Sequence, residues 1–108
     1  MIGYQLAFYV QENHKHRGVL TWQWLLQEAA KLGIGGGTAF VSTAGFGQHH
    51  VLHMDRLFGT GLICVKIEFL TTEKEKALLV ELLAREKLDL FYSQSDVRFG
   101  TIGADAAS

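Results

Sequence analysis

With one cysteine in 108 residues, Cys64, the chain has no partner for an internal disulfide, and nothing in it points to an oxidising compartment. Cys64 lies in the apolar run Leu62-Ile63-Cys64-Val65, where it reads as a small buried hydrophobe. No apolar run approaches the roughly 20 residues that span a bilayer. The start, Met1-Ile2-Gly3-Tyr4-Gln5-Leu6, lacks the basic head and long apolar core of a signal peptide. These absences predict a cytoplasmic protein. Charge of one sign is scarce as well: the formal net charge is −1 and there is no basic run, so no pull toward nucleic acid is expected. Catalytic patterning is also missing. Ser42, Ser93, Ser95 and Ser108 have no motif around them, and Cys64 with a distant histidine is no nucleophile signature. The expectation is a non-enzyme.

What the chain has is apolar content, 48% of residues, enough for a core and against disorder. A domain this small buries only roughly 60–70% of its unfolded surface, so that much apolar material favours self-association. Residues 4–10 are aromatic and β-branched and read as a first strand, followed by a polar, flexible stretch over 11–18. Thr21 suits the N-cap of a helix over 22–32, where Leu25, Ala29 and Leu32 keep helical spacing, and Gly33 ends it. A strand over 38–43 precedes a loop over 44–61. In the next strand, 62–70, Val65, Ile67 and Phe69 alternate with Lys66 and Glu68. Thr72-Glu73-Lys74-Glu75 is a capping box and opens a helix to about Glu86, with Leu78, Leu79, Leu82 and Leu83 on its apolar face. Residues 88–93 form the fourth strand. A single domain over 1–103 is expected, with 104–108 a disordered tail.

The order is βαβ followed by βαβ. Right-handed crossovers make this an α+β, ferredoxin-like βαββαβ sandwich: a four-stranded antiparallel sheet with two helices on one face. The other face stays uncovered. Phe8, Val41, Ile67 and Phe91 are the expected apolar residues there, and an oligomer would bury them.

Four groups of residues are candidate sites. Gly33-Ile34-Gly35-Gly36-Gly37-Thr38 fits neither the dinucleotide fingerprint nor the P-loop. It suits a tight turn without a ligand as well as one whose amides take a phosphate or a base edge. Gly45-Phe46-Gly47-Gln48-His49-His50 suits a sharp change of direction that frees amides for an anion. His49, His50 and His53 lie close together, with His14 and His16 earlier; an i, i+3 or i, i+4 pair on a helical turn could chelate zinc, copper or nickel. Solvent-exposed loop histidines are the simpler state. Arg56, Lys66 and Arg98 are cations of the kind a nucleotide phosphate chain requires, although each alone is more often a surface charge.

Taken in order, Gly33-Ile34-Gly35-Gly36-Gly37-Thr38, Gly45-Phe46-Gly47 and Val65-Lys66-Ile67-Glu68 resemble runs of the PII signalling proteins. The closer resemblance is to the DUF190 family of PII-like proteins. It rests on Gly3-Tyr4-Gln5-Leu6, on Gly45-Phe46-Gly47 with His53, on Leu88-Asp89-Leu90-Phe91-Tyr92 and on Val97-Arg98-Phe99-Gly100. It covers residues 2–100.

The resemblance implies a regulatory homotrimer with adenine nucleotide in clefts between subunits and a loop, residues 48–59, that reports occupancy to a partner. Some relatives sit beside or are fused to membrane transport proteins, which makes a transporter the implied target. Carried over by position, Gly35, Gly36, Gly37, Gly45, Phe46, Gly47, Gln48 and Arg98 would bind the nucleotide, and Lys66 gains no ligand role. No cofactor is required beyond that effector. The chain departs from PII in a shorter loop without the modifiable tyrosine, and in Gln48 where PII has a basic residue. Arg85-Glu86-Lys87-Leu88 replaces the glycine- and lysine-rich phosphate turn, so AMP or ADP is expected over ATP. The runner-up expectation is a metal-binding trimer resembling the CutA proteins, with His49, His50 and His53 as ligands.

Overall fold

The computed structural model describes residues 1–43, 45–46, 52–53 and 63–103. In the first strand, β1 (Ile2–Gln11), Leu6, Phe8 and Val10 share one face and are buried. A two-residue turn, Arg17-Gly18, joins the short strands β2 (Lys15–His16) and β3 (Val19–Leu20). Both turn residues have positive φ, 52° and 80°, the type I′ geometry that matches the twist of a hairpin. Helix α1 (Thr21–Lys31) follows directly. It ends in two bonds of a Schellman cap, from the Gly33 amide to the Ala30 carbonyl (3.1 Å) and from the Ile34 amide to the Ala29 carbonyl (3.2 Å). Gly33, at φ 86°, supplies the left-handed residue expected of it.

Strand β4 (Gly37–Val41) comes next, then the two-residue strands β5 (Gly45–Phe46) and β6 (Leu52–His53), which pair with each other. The expected irregular loop therefore contains a short ladder, Gly45 opposite His53 and Phe46 opposite Leu52. Strand β7 (Cys64–Thr71) leads to α2 (Glu73–Arg85) and β8 (Phe91–Arg98). The capping box is complete: the Glu75 amide donates to the Thr72 hydroxyl (3.2 Å) and the Thr72 amide to the Glu75 carboxylate (2.9 Å).

The main sheet has the order β4-β7-β1-β8 with every pair antiparallel. Both helices lie on one face, as expected for the ferredoxin-like sandwich. Leu6, Phe8, Val10, Val65, Ile67 and Phe69 meet Trp24, Leu25 and Ala29 of α1 and Leu79, Leu82 and Leu83 of α2 in one core. Leu25, Ile67 and Leu79 are fully buried, so truncating any of them to alanine costs about 2–5 kcal/mol.

Three local expectations are corrected. Thr21 is the first helical residue and not the cap; Leu20 is the N-cap and makes no side-chain cap bond. The Thr21 hydroxyl is buried against His14 Nδ1, 2.6 Å away. The last strand runs over Phe91–Arg98 and not 88–93, because pairing with β1 carries it through a polar stretch. Finally, Phe8 and Ile67 lie in the helix-side core, since they share parity with Leu6 and Phe69. The uncovered face carries the opposite parity: Tyr9, Lys66, Phe40 and Phe91. Phe40 and Phe91 are exposed there, and the Tyr9 and Phe91 rings lie 5.7 Å apart.

Candidate functional site

Antiparallel order brings the start of β4, the end of β7, the start of β1 and the end of β8 to one end of the sheet. A groove of about 480 Å³ runs across that end, within the size range of small-molecule sites. Its walls are Gly35, Gly36, Gly37 and Thr38 before and in β4, Glu68, Phe69 and Leu70 of β7, and Phe99, Gly100 and Thr101 after β8. Met1 and Glu75 complete it. The segment after β8 is fixed in place by a reciprocal pair: the Met1 ammonium donates to the Phe99 carbonyl (2.7 Å) and the Phe99 amide to the Met1 carbonyl (2.9 Å).

The glycines have different reasons to be glycine. A Cβ on Gly37 would lie 2.5 Å from the Phe69 ring, so that position is closed by the core. At Gly35 and Gly36 a Cβ would meet nothing within 4 Å. Those two open the groove without serving the packing of the described residues.

Three of the expected site residues, Gly35, Gly36 and Gly37, thus line one groove. Arg98, one residue before Phe99, has an exposed side chain and is not among the groove's lining residues. Gly45 and Phe46 form β5. Gly47, Gln48, His49, His50 and Arg56 lie outside the described residues, as does the tail 104–108. Sequence reading missed Met1, Glu68, Leu70, Glu75 and Phe99. Only the antiparallel register, which places the ends of β7 and β8 beside the start of β4, could have found them.

The charged side chains of the groove are acidic. Glu75 is engaged in the capping box, which already satisfies the α2 N-terminus, and Glu68 pairs with Lys66 at 3.1 Å. Lys66 also lies 5.1 Å from the centre of the Phe40 ring, on the open sheet face.

The remaining polar clusters are structural. His16 Nε2 lies 2.8 Å from a Glu86 oxygen, and Arg17 donates to both oxygens of the same carboxylate at 2.6 and 3.2 Å. These bonds, the Arg17 guanidinium first, hold the Glu86 carboxyl down at about 2. The His16 ring packs edge-on to Trp24, 4.6 Å between centres. The Tyr4 hydroxyl donates to Glu73, which raises the phenol's pKa and keeps it protonated, and Lys76 lies over its ring. Burial pushes the Cys64 thiol up, away from the reactive thiolate.

His53 lies in a strand and not on the helical turn that i, i+3 chelation requires. His14 and His16 are hydrogen-bonded to Thr21 and Glu86. Among the described residues no three histidine, cysteine or carboxylate side chains gather to hold a metal ion, and no helix is long and apolar enough to cross a membrane.

Residues 3–94 match the DUF190 family, described as uncharacterised. No curated protein sequence matches the chain. Among solved structures, a nitrogen regulatory PII-like protein from Thiomonas intermedia K12, bound to ADP, AMP and bicarbonate, superposes with a TM-score of 0.65 at 17% identity. That match covers 94% of this chain and 91% of the other. A proposed PII-like signalling protein from Thermus thermophilus gives 0.54 at 18% identity, over 89% and 88% of the two chains. At such identities the likeness is one of fold.

Proposed function

The chain belongs to the DUF190 family of PII-like proteins, and from that premise we propose that it is a regulatory protein that binds an adenine nucleotide. One observation carries the reading. The glycine turn singled out by resemblance, and the segment that follows Arg98, line a single groove of ligand size although they lie far apart in sequence. The Thiomonas protein, which shares this fold, binds ADP and AMP. The ligand shifts the population of a responsive segment, residues 48–59, and that segment docks on a partner, here a membrane transporter. The capping box, which already occupies the α2 N-terminus, supports AMP or ADP over ATP, because that anion-binding position is closed to further phosphates.

The open sheet face supports a homotrimer. Tyr9, Phe40, Phe91 and Leu70 form an apolar surface around the Lys66–Glu68 pair, a composition that interfaces between copies share. In a trimer the groove would become part of a cleft between subunits.

Calorimetry with AMP, ADP, ATP and cyclic dinucleotides tests the ligand. Saturable AMP or ADP binding tighter than ATP is expected, and no binding at millimolar concentration overturns the proposal. Sedimentation equilibrium of the protein and of Phe91→Glu tests the assembly: a trimer that the substitution dissociates is expected, and a monomeric wild type refutes it.

A further inference from the structure

We infer that the groove holds the base and ribose of the nucleotide, with Phe99 as the stacking platform; this rests on the nucleotide reading above. Phe99 is only half-buried, yet its position is fixed. Its amide is tied to the Met1 carbonyl at 2.9 Å, and its ring lies so close to Gly3 that a Cβ there would come within 3.0 Å of Cε1. The ring held beside Gly3 is also one of the groove's lining residues. Gly35 and Gly36 add a stretch of wall with no side chain, and at both a Cβ would point into open space. An aromatic platform and a wall of bare backbone suit a flat heteroaromatic group, whose edge can pair with amides and carbonyls.

The groove's charges are already paired. Among the described residues that line it, the Glu68 carboxylate pairs with Lys66, the Glu75 carboxylate accepts from the Thr72 amide, and the Met1 ammonium donates to the Phe99 carbonyl. The helix terminus that would otherwise attract an anion is already occupied by the capping box, with Glu75 itself in the position an anion would take. A carboxylate in a ribose pocket accepts hydrogen bonds from hydroxyls.

The test measures binding of adenosine and AMP to the full chain by calorimetry, in the wild type and in Phe99→Ala, Phe99→Trp and Gly36→Val. Adenosine is expected to bind within a few-fold of AMP. Phe99→Ala is expected to weaken both by about 10- to 100-fold, the worth of one base–aromatic stack, and Phe99→Trp to restore them. Gly36→Val, a position with room in the fold, is an independent probe: it should abolish binding while leaving the thermal unfolding midpoint in place.

If AMP binds but adenosine does not, the phosphates carry the affinity and the inference falls while the nucleotide reading stands. The inference falls in the same way if Phe99→Ala and Gly36→Val both bind AMP like the wild type. If no adenine compound binds the wild type, the nucleotide reading itself is overturned, and the inference with it.

Discussion

Replacing Gly37 by alanine is expected to destabilise the fold, and the structure sets the size of the effect. The new Cβ would lie 2.5 and 2.7 Å from two atoms of the Phe69 ring and 3.1 Å from Leu26 Cδ2. Carbon atoms in contact prefer about 3.5–4.0 Å, so the ring must retreat by about 1 Å. It has little room: Phe69 is 2% exposed, packs edge-on to Phe8 at 6.1 Å, and sits in register with Leu6 on its other side. Overpacking of this kind costs about 1–3 kcal/mol, a substantial part of the roughly 5–15 kcal/mol available to a domain. One kilocalorie shifts the unfolding midpoint of a domain this size by roughly 4–8 °C. Gly36→Ala is the control, because nothing lies within 4 Å of its Cβ; a change within about 0.5 kcal/mol is expected there. Urea unfolding of both variants at one protein concentration reads the difference, as a lower midpoint at unchanged slope. Equal midpoints would refute the claim that Phe69 closes this position.

Three further outcomes are expected. Thr71 is fully buried and its hydroxyl has no hydrogen-bond partner among the described residues; Thr71→Val should raise stability by about 1 kcal/mol, read by urea unfolding. Lys87 holds the left-handed position of the α2 cap at φ 57°, with its amide bonded to Ala84 and that of Leu88 to Leu83. Lys87→Gly should therefore stabilise by about 0.5–1 kcal/mol in a thermal melt. Glu86 is depressed to about 2 from an ordinary 4.5, so its contribution is present above pH about 4.5 and is lost as pH falls toward about 2. Unfolding curves taken down that range should show an acid limb that Glu86→Gln reduces, and an unchanged limb would show that the Arg17 and His16 contacts add nothing to stability.

The elements were legible because the signals were local: alternation in Val65–Phe69, the Thr72/Glu75 box, and Gly33 after Leu32. Two features were not. The β2–β3 hairpin is held by Glu86, about 70 residues away, and its Arg17-Gly18 turn lacks the asparagine or aspartate that usually announces a type I′ turn. The face that Phe8 and Ile67 occupy follows only when parity is carried through from Leu6 and Phe69, across strands whose pairing the sequence does not display. For the site, glycines at the start of β4 could be read from sequence. The aromatic ring and the carboxylates could not, since each belongs to a different element and only register brings them together.

The placement of β1 has a consequence for how the chain is made. This inner strand is translated before the rest of its sheet, and both of its neighbours, β7 and β8, come from the last part of the sequence. Met1 is bonded to a residue 98 positions away. During synthesis β1 therefore waits with both edges bare until the second half emerges, and the sheet closes late through non-local pairings, which form slowly. For a strand as apolar as Leu6-Ala7-Phe8-Tyr9-Val10, that waiting time is when the chain is most exposed to aggregation.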